Sequence, residues 1–374
     1  MNSLGDFKLD QRMLRYSQFV PKLYNLCLSL GFEAGKIMPS RAFCSDENQG
    51  FPIILIAKHF GAFPFNHGRV GGIVATDRHG PHAHHGEDLV IIQASHVGYD
   101  PEFKSFGSYC RLQTHNCEST SDCGKIAGVS EWYIKEYRFA CENIIIERDG
   151  DELLATIDNM LLDERKSEGL LLELGKIIEV DEVGGYSPLN VRSTSKQFKL
   201  KAEFALNFST LEDGETQVVG GALSAELFSF KRNIIDEDEG HDHLERNLLP
   251  KMPYIVTSST PALLAAQINS QVEFDRAFRT IMQDDSYCGK RLLFISGINI
   301  DISPEIGQTF PLTKFVPWAA YYQDLDGSTV IYEQDELWDL MSVQSSDNPD
   351  QIDLEQAIEQ MEALEEIAVE VKDS

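Results

Sequence analysis

The sequence predicts an α/β fold, and two observations carry that prediction. Short apolar runs such as Asp88–Ala94 (DLVIIQA) lack polar alternation, the pattern of strands covered on both faces. Segments with helical periodicity lie between such runs. With 42% hydrophobic and 25% charged side chains, the 374 residues can bury a sizeable core. At roughly 100–200 residues per domain there is room for two domains, or for one large domain with appendages.

In chain order, Met13, Phe19, Leu23, Leu26 and Leu28 mark an amphipathic helix, in a stretch (1–32) too interrupted by charge for a secretory signal. Phe51–Lys58 (FPIILIAK) and Asp88–Ala94 read as buried strands, separated by a Gly/His/Pro-rich loop over 61–87 that cannot be a regular helix. Gly128–Tyr137 and Asp151–Glu173 read as helices, the second along the stripe Leu153, Leu154, Ile157, Met160 and Leu161. Lys199–Phe208 and Gln217–Lys231 read as strands, with a turn at Glu212–Glu215 whose Asp-Gly pair tolerates tight-turn dihedrals. Asp236–Asp242 reads as an acidic loop.

Thr260 and Pro261 read as the N-cap and first residue of a helix to Met282, and Arg291–Ile302 as a further strand. Leu89–Glu102 and Leu292–Glu305 look alike in length and ending, which suggests an internal repeat whose second copy lacks Cys and His. Gln344–Pro349 has the composition of a linker. Beyond it, Leu354, Ala357, Ile358, Met361, Leu364 and Ala368 mark one face of an acidic terminal helix, docked on its own domain or open to a partner. These shifts divide the chain into 1–235, 236–345 and 346–374.

Lys+Arg number 32 and Asp+Glu 60, giving a formal charge of −28. That sign opposes contact with nucleic-acid phosphates and with anionic membrane surfaces. No apolar run approaches the ~20 residues of a spanning helix, so the expectation is a soluble protein with neither partner. Seven cysteines form an odd set in a long chain, which points to reduced thiols and a cytoplasmic location. Six of the seven precede residue 150 and eight of the ten histidines lie between His59 and His115, so the chemistry is expected in the first half.

Three places draw attention there. Arg41–Asn48 contains Cys44 with Asp46 two residues on; Ala94–Asp100 carries His96 at the end of a strand; and Cys117 and Cys123-Gly124 lead into a helix. In open α/β sheets ligands bind outside the C-terminal ends of strands. Two thiolates and an imidazole suit Zn²⁺ and leave one tetrahedral position open. Taken cold, the same residues more often describe buried thiols and a hydrogen-bonded core histidine; a Cys44 nucleophile activated by His96 is a further reading. The spacings of phosphate-binding glycine loops and of the serine-hydrolase elbow are absent.

The order FCSDE, GAFPF–NHGRVGG, HHGEDLVIIQASHVGYD, then Cys-Gly entering a helix, resembles the limiting-CO2-inducible B/C proteins and related theta-class carbonic anhydrases over about Arg41–Tyr137. These are similar in fold to β-carbonic anhydrases. The resemblance implies a β-carbonic-anhydrase-like, mostly parallel central sheet flanked by helices, with an additional C-terminal α/β region and the terminal acidic helix. It implies Zn²⁺ held by Cys44, His96 and Cys123, with Cys117 and then Cys110 as competitors for the last place, in a homodimer. Asp46 matches the Asp of the β-class Cys-x-Asp motif, as a gate on the metal or an acceptor for hydroxide. That pattern continues Ser-Arg where this chain has Glu47-Asn48, leaving Arg41 and Arg69 as replacements for the arginine.

The implied reaction is reversible hydration of CO2 to bicarbonate, in a small apolar pocket drawn from Phe63, Phe65, Val97 and Tyr99. His82, His84 and His85 titrate in the range of a proton shuttle, although such a loop equally reads as solvated surface. A catalytically silent zinc-binding scaffold on the same fold is the alternative.

Overall fold

A strand buried on both faces must find hydrogen-bond partners on both edges, and the central strands of this chain do so in one eight-stranded sheet. The computed structural model describes residues 7–75, 88–110, 119–234, 241–304, 308 and 311–363. In chain order the main elements are α1 (Tyr16–Ser29), β1 (Ile37–Ala42), α2 (Gly50–Phe60), β2 (Asp88–Asp100), α3 (Gly124–Glu142), β3 (Ile144–Asp149), β4 (Glu152–Asp158), α4 (Pro261–Gln283), β5 (Leu292–Ile302), β6 (Leu312–Gln323), α5 (Gln334–Ser342) and α6 (Leu354–Ala363). The chain divides into two units, 1–95 with 274–374, and 96–273.

The first unit is built on the sheet, in the order Leu14–Arg15, β6, β5, β2, β1, Phe65–Asn66, with Thr329–Tyr332 also on β6; the eighth strand, Ser105–Phe106, pairs with the end of β2 in the second unit. β1 runs parallel to β2, with Ile37 opposite Asp88 and Ala42 opposite Gln93, and parallel to Phe65–Asn66. β5 follows β2 in the same direction: the Leu89 N–H donates to the Arg291 carbonyl, and Gln93, four residues beyond Leu89, meets Ser296, five residues beyond Arg291. The two segments that looked like repeats are thus neighbours in matched register. β6 runs antiparallel to β5, and Leu14–Arg15 and Thr329–Tyr332 run antiparallel to β6. Most strands of the sheet therefore point one way.

Successive residues of β2 face opposite sides. Val90, Ile92 and Ala94 pack with α1, α2 and α5. Leu89 and Ile91 pack with Phe274, Ala277, Phe278 and Ile281 of α4. Helices on both faces explain why DLVIIQA carries no polar alternation.

Two expectations for this unit are corrected. Phe51–Lys58 is not a strand but most of α2. A short apolar run is compatible with either state, and here Ile56, Ala57 and Phe60 turn into the core while Ile54 stays exposed. The predicted linker at Gln344–Pro349 is a strap fastened to the N-terminal helices. Lys22 Nζ donates to the carbonyls of Met341, Ser342 and Gln344. Asn25 Nδ2 donates to those of Ser345 and Asp347, each at 2.9 Å, and Ile352 N–H to that of Lys58 at 2.9 Å. α6 follows as expected, with no buried residue along it; Leu364 and Ala368 lie outside the described residues.

In the second unit α3 contains the predicted helix Gly128–Tyr137. A five-stranded sheet runs Asn190–Val191, Ser195–Lys199, β4, β3, Thr216–Val218. Asp151–Glu173, read as a helix, is instead β4 followed by the strand Gly169–Leu172. Gly150 and Asp151 form a two-residue loop that pairs Asp149 with Glu152, a hairpin signal that the helical spacing of the leucines obscured. Lys199–Phe208 is likewise corrected: the strand ends at Lys199, and Phe204 and Phe208 meet edge to face one helical turn apart, with ring centroids 5.6 Å from each other. Apolar residues at 198, 200, 204 and 208 fit a period of two as well as a turn of helix. Gln217–Lys231 contains two short strands, Thr216–Val218 and Phe228–Lys231.

The second unit also holds α3 firmly. Trp132 and Tyr133 meet Phe230, the Arg232 guanidinium lies 4.3 Å from the Trp132 ring centre, and Glu245 accepts from Tyr133 and pairs with Arg232. Residues 236–240 of the predicted acidic loop lie outside the described residues, and His241–Leu248 is helical. No helix of the described residues is long and apolar enough to cross a membrane.

The strap carries a pH dependence. Burial, with the Lys58 charge second, lowers the pKa of His59 to about 4. Asn348 Nδ2 lies 3.2 Å from its Nδ1 and donates to its carbonyl at 3.1 Å. An unfolded histidine protonates near pH 6.5, so between about 6.5 and 4 the unfolded chain binds more protons than the native one. Native stability therefore falls as pH drops through that window. Thermal unfolding of His59→Gln, followed from pH 7 to 4, is expected to show a shallower fall in Tm than the unchanged protein; equal slopes would assign the acid sensitivity elsewhere.

Candidate metal centre

Cys44 follows β1 directly and is buried. Its sulfur accepts the N–H of Gly71 at 3.2 Å. A backbone amide aimed at sulfur favours the thiolate, the form that binds metals. The Gly-rich segment reaches this position because it lacks side chains at the crossing: a Cβ on Gly68 would stand 2.1 Å from the carbonyl oxygen of Phe43. In this part the Gly-rich loop is shaped around the residues beside Cys44.

Asp46 starts the next turn, its Oδ1 accepting from the Asn48 N–H at 3.4 Å. Gln49, one residue beyond Asn48, ties the same turn to β5. Its Nε2 donates to Asp301 Oδ2 at 2.8 Å, and its Oε1 accepts from Asn299 Nδ2 at 2.6 Å. Asn299 also accepts from Tyr16, and Asp301 from Thr313. All five side chains are buried, so each polar end needs the partner it has.

In the second unit, His96 is fully buried on β2, with Nδ1 3.4 Å from Oδ2 of the buried Asp122. The ligand atoms of His96 and Cys123 lie within 4.8 Å of each other. A carboxylate at one ring nitrogen is the usual companion of a metal-ligating histidine, since it sets the ring orientation and leaves the other nitrogen for the metal. Gly98, on the same face as His96, is what admits Asp122: a Cβ there would lie 2.8 Å from the Asp122 Cβ and 2.9 Å from the Ser108 carbonyl oxygen. The Asp122 N–H donates to Gly107 and the Gly107 N–H to Gly98, closing the segment onto the strand. Cys123 is the N-cap residue of the 19-residue α3, where the positive end of the helix dipole favours a thiolate.

Cys44, His96 and Cys123 are thus buried candidate metal ligands among the described residues, a donor set compatible with a metal cofactor. Asp122 escaped sequence reasoning, although it stands directly before Cys123. Arg41 is half-buried on β1, and burial lowers its pKa. Arg69 is exposed on the short strand Gly68–Arg69. Cys110 is half-buried opposite Ser119. Cys117, His82, His84 and His85 lie outside the described residues. Of the residues expected to line an apolar pocket, Phe63 and Phe65 are 75% and 47% exposed, while Val97 is buried.

Crystal structures of PtLCIB4, a homolog of the limiting CO2-inducible protein LCIB, superpose on this chain with a TM-score of 0.52 at 12% identity, covering 86% of this chain and 95% of that one. A histidine-to-alanine mutant of PtLCIB4 gives 0.51 at 12% identity, over 86% and 93%. The chain shares this fold. No family model matches the chain, and no curated protein does. The likeness to PtLCIB4 therefore covers the mixed α/β architecture with its mostly parallel sheet, and says nothing of activity.

Gly98→Ala tests the close approach of Asp122. The added methyl group is expected to destabilise the native state by about 1–3 kcal/mol, read as a lower urea midpoint with an unchanged m-value. An unchanged midpoint would show that Asp122 does not need that space.

Proposed function

We propose that the protein is a zinc-dependent carbonic anhydrase that interconverts CO2 and bicarbonate, with Cys44, His96 and Cys123 as the metal ligands. The observation that carries this reading is the carboxylate-paired His96 beside Cys123. The shared fold with PtLCIB4, a homolog of a protein named for limiting CO2, supports it. The remaining proposed ligand is Cys44, whose thiolate is favoured by the Gly71 amide on its sulfur.

The protein's own groups have defined tasks. Asp122 holds the His96 ring by its Nδ1 side, and the Gly71 amide stabilises negative charge on the Cys44 sulfur. Asp46, kept at the head of its turn, accepts a hydrogen bond from the attacking water and orients it. Arg41 and Arg69 are the cations available to hold that carboxylate. A zinc ion, when bound, supplies water activation near neutral pH. The substrate is small and neutral, so a chain of charge −28 does not repel it. A homodimer in the cytoplasm completes the proposal.

One observation favours a silent zinc scaffold instead. Where the β-class pattern has arginine this chain has Asn48, which is buried and gives its backbone N–H to Asp46. Metal analysis and stopped-flow CO2 hydration separate the readings. The proposal expects about one zinc per chain, loss of zinc in the Cys44→Ser, His96→Ala double variant, and hydration that falls at least ~100-fold in Asp46→Ala. Zinc without hydration selects the scaffold. Zinc retained by the double variant sinks the site, and metal-free protein inactivated by alkylation of one thiol selects the cysteine nucleophile.

A further inference from the structure

The amide on Cys44 belongs to a turn that cannot hold itself. Gly71 and Gly72 carry no side chains and have φ of +79° and +78°, and a Cβ on Gly72 would lie 2.4 Å from the Ala94 carbonyl oxygen. Glycine permits this backbone without selecting it. What selects it comes from β2. Gln93 Nε2 donates to the Gly72 carbonyl at 3.1 Å, and Ser95 Oγ to the Gly71 carbonyl at 3.4 Å. Two residues apart, Gln93 and Ser95 share one face of the strand. The other end of the Gln93 amide accepts from Ser296 on β5.

Gln93, Ser95 and Ser296 are each fully buried. An uncharged polar group costs free energy there unless its hydrogen bonds are made. A hydrophobic residue would pack at position 93 at no such cost, so burial alone gives no reason for glutamine. The arrangement has direction. Ser296 sets the amide plane of Gln93, Gln93 sets the Gly72 carbonyl, and the preceding Gly71 N–H then points at the Cys44 sulfur. Neither Gln93 nor Ser296 touches the sulfur or any candidate ligand atom through these bonds.

We infer that Gln93, held by Ser296, is a positioning residue that aims the Gly71 amide at Cys44 and so tightens metal binding by that thiolate. This rests on the reading of Cys44 as a metal ligand. Support of this outer kind is worth ~10–100-fold in metal affinity.

The test uses the full chain with Gln93→Met, which keeps length and loses both polar ends, and Ser296→Ala, which removes the far anchor and leaves a smaller disturbance should Gln93→Met fail to fold. Two quantities are read in each: hydrogen exchange of the Gly71 amide by NMR in metal-free protein, and zinc affinity by competition with a chromophoric chelator. The expected result is faster exchange at Gly71, with the neighbouring Ile73–Val74 strand still protected, and zinc bound 10–100-fold more weakly. Gly71 exchange at the rate of the unchanged protein overturns the inference, as does zinc affinity within two-fold of it after Gly71 protection is lost. A purely structural glutamine would lower Tm and move neither quantity. If the unchanged protein binds no zinc, the metal reading and the affinity part of the inference fail together, and exchange at Gly71 alone decides whether Gln93 aims the amide.

Discussion

Backbone can approach backbone only where side chains are missing, and that steric constraint organises the candidate centre. Gly68 lets a loop cross behind Phe43, and Gly98 lets Asp122 settle against the strand that carries His96. Each crossing brings a polar group to a candidate ligand, an amide to Cys44 in one unit and a carboxylate to His96 in the other. Without the glycines the same donors would be held away by the width of a methyl group. Close packing leaves no slack to absorb that.

The electrostatic consequence is the same in both units. A thiol buried without partners would be forced toward its neutral, inert form, whereas a buried imidazole is held neutral, the form that binds metals. Here Cys44 has an N–H on its sulfur, Cys123 caps a long helix, and His96 has a carboxylate at Nδ1. These arrangements favour the thiolate of each cysteine and set which nitrogen His96 presents, while all three groups stay buried. They are common to any site built to hold a thiolate-loving cation, whether or not chemistry follows there.

How much of this was legible in the sequence depended on whether the signal was local. β2 announced itself because an apolar run buried on both faces has no polar interruption, and the Thr260-Pro261 start of α4 because its chemistry occupies two adjacent residues. α2 did not, since FPIILIAKHF fits a buried helix and a buried strand equally, and only packing against α1 and the sheet decides. The β3–β4 hairpin was written in Gly150-Asp151 and overruled by leucines whose spacing imitates a helix. The strap at 344–352 was illegible because its partners, Lys22, Asn25 and Lys58, lie some 300 positions away. At the centre, Cys44 and His96 stood out by type, whereas Asp122 gains meaning only from its distance to His96.

The division of the chain also has a consequence for biosynthesis. The first unit draws its sheet from both ends of the chain, with the contiguous residues 96–273 between them. β1 and the first half of β2 leave the ribosome long before β5 and β6, which complete the sheet beside them. At ~5–20 residues per second, the roughly 230 residues from the middle of β2 to the end of β6 take about 10–45 s to make. Throughout that interval the apolar faces of α1 and β2 lack their final neighbours, and the inserted unit has all of its own sequence before β5 and β6 are made. The nascent chain thus presents a folded middle on an unfinished base, the form of intermediate that a chaperone would meet.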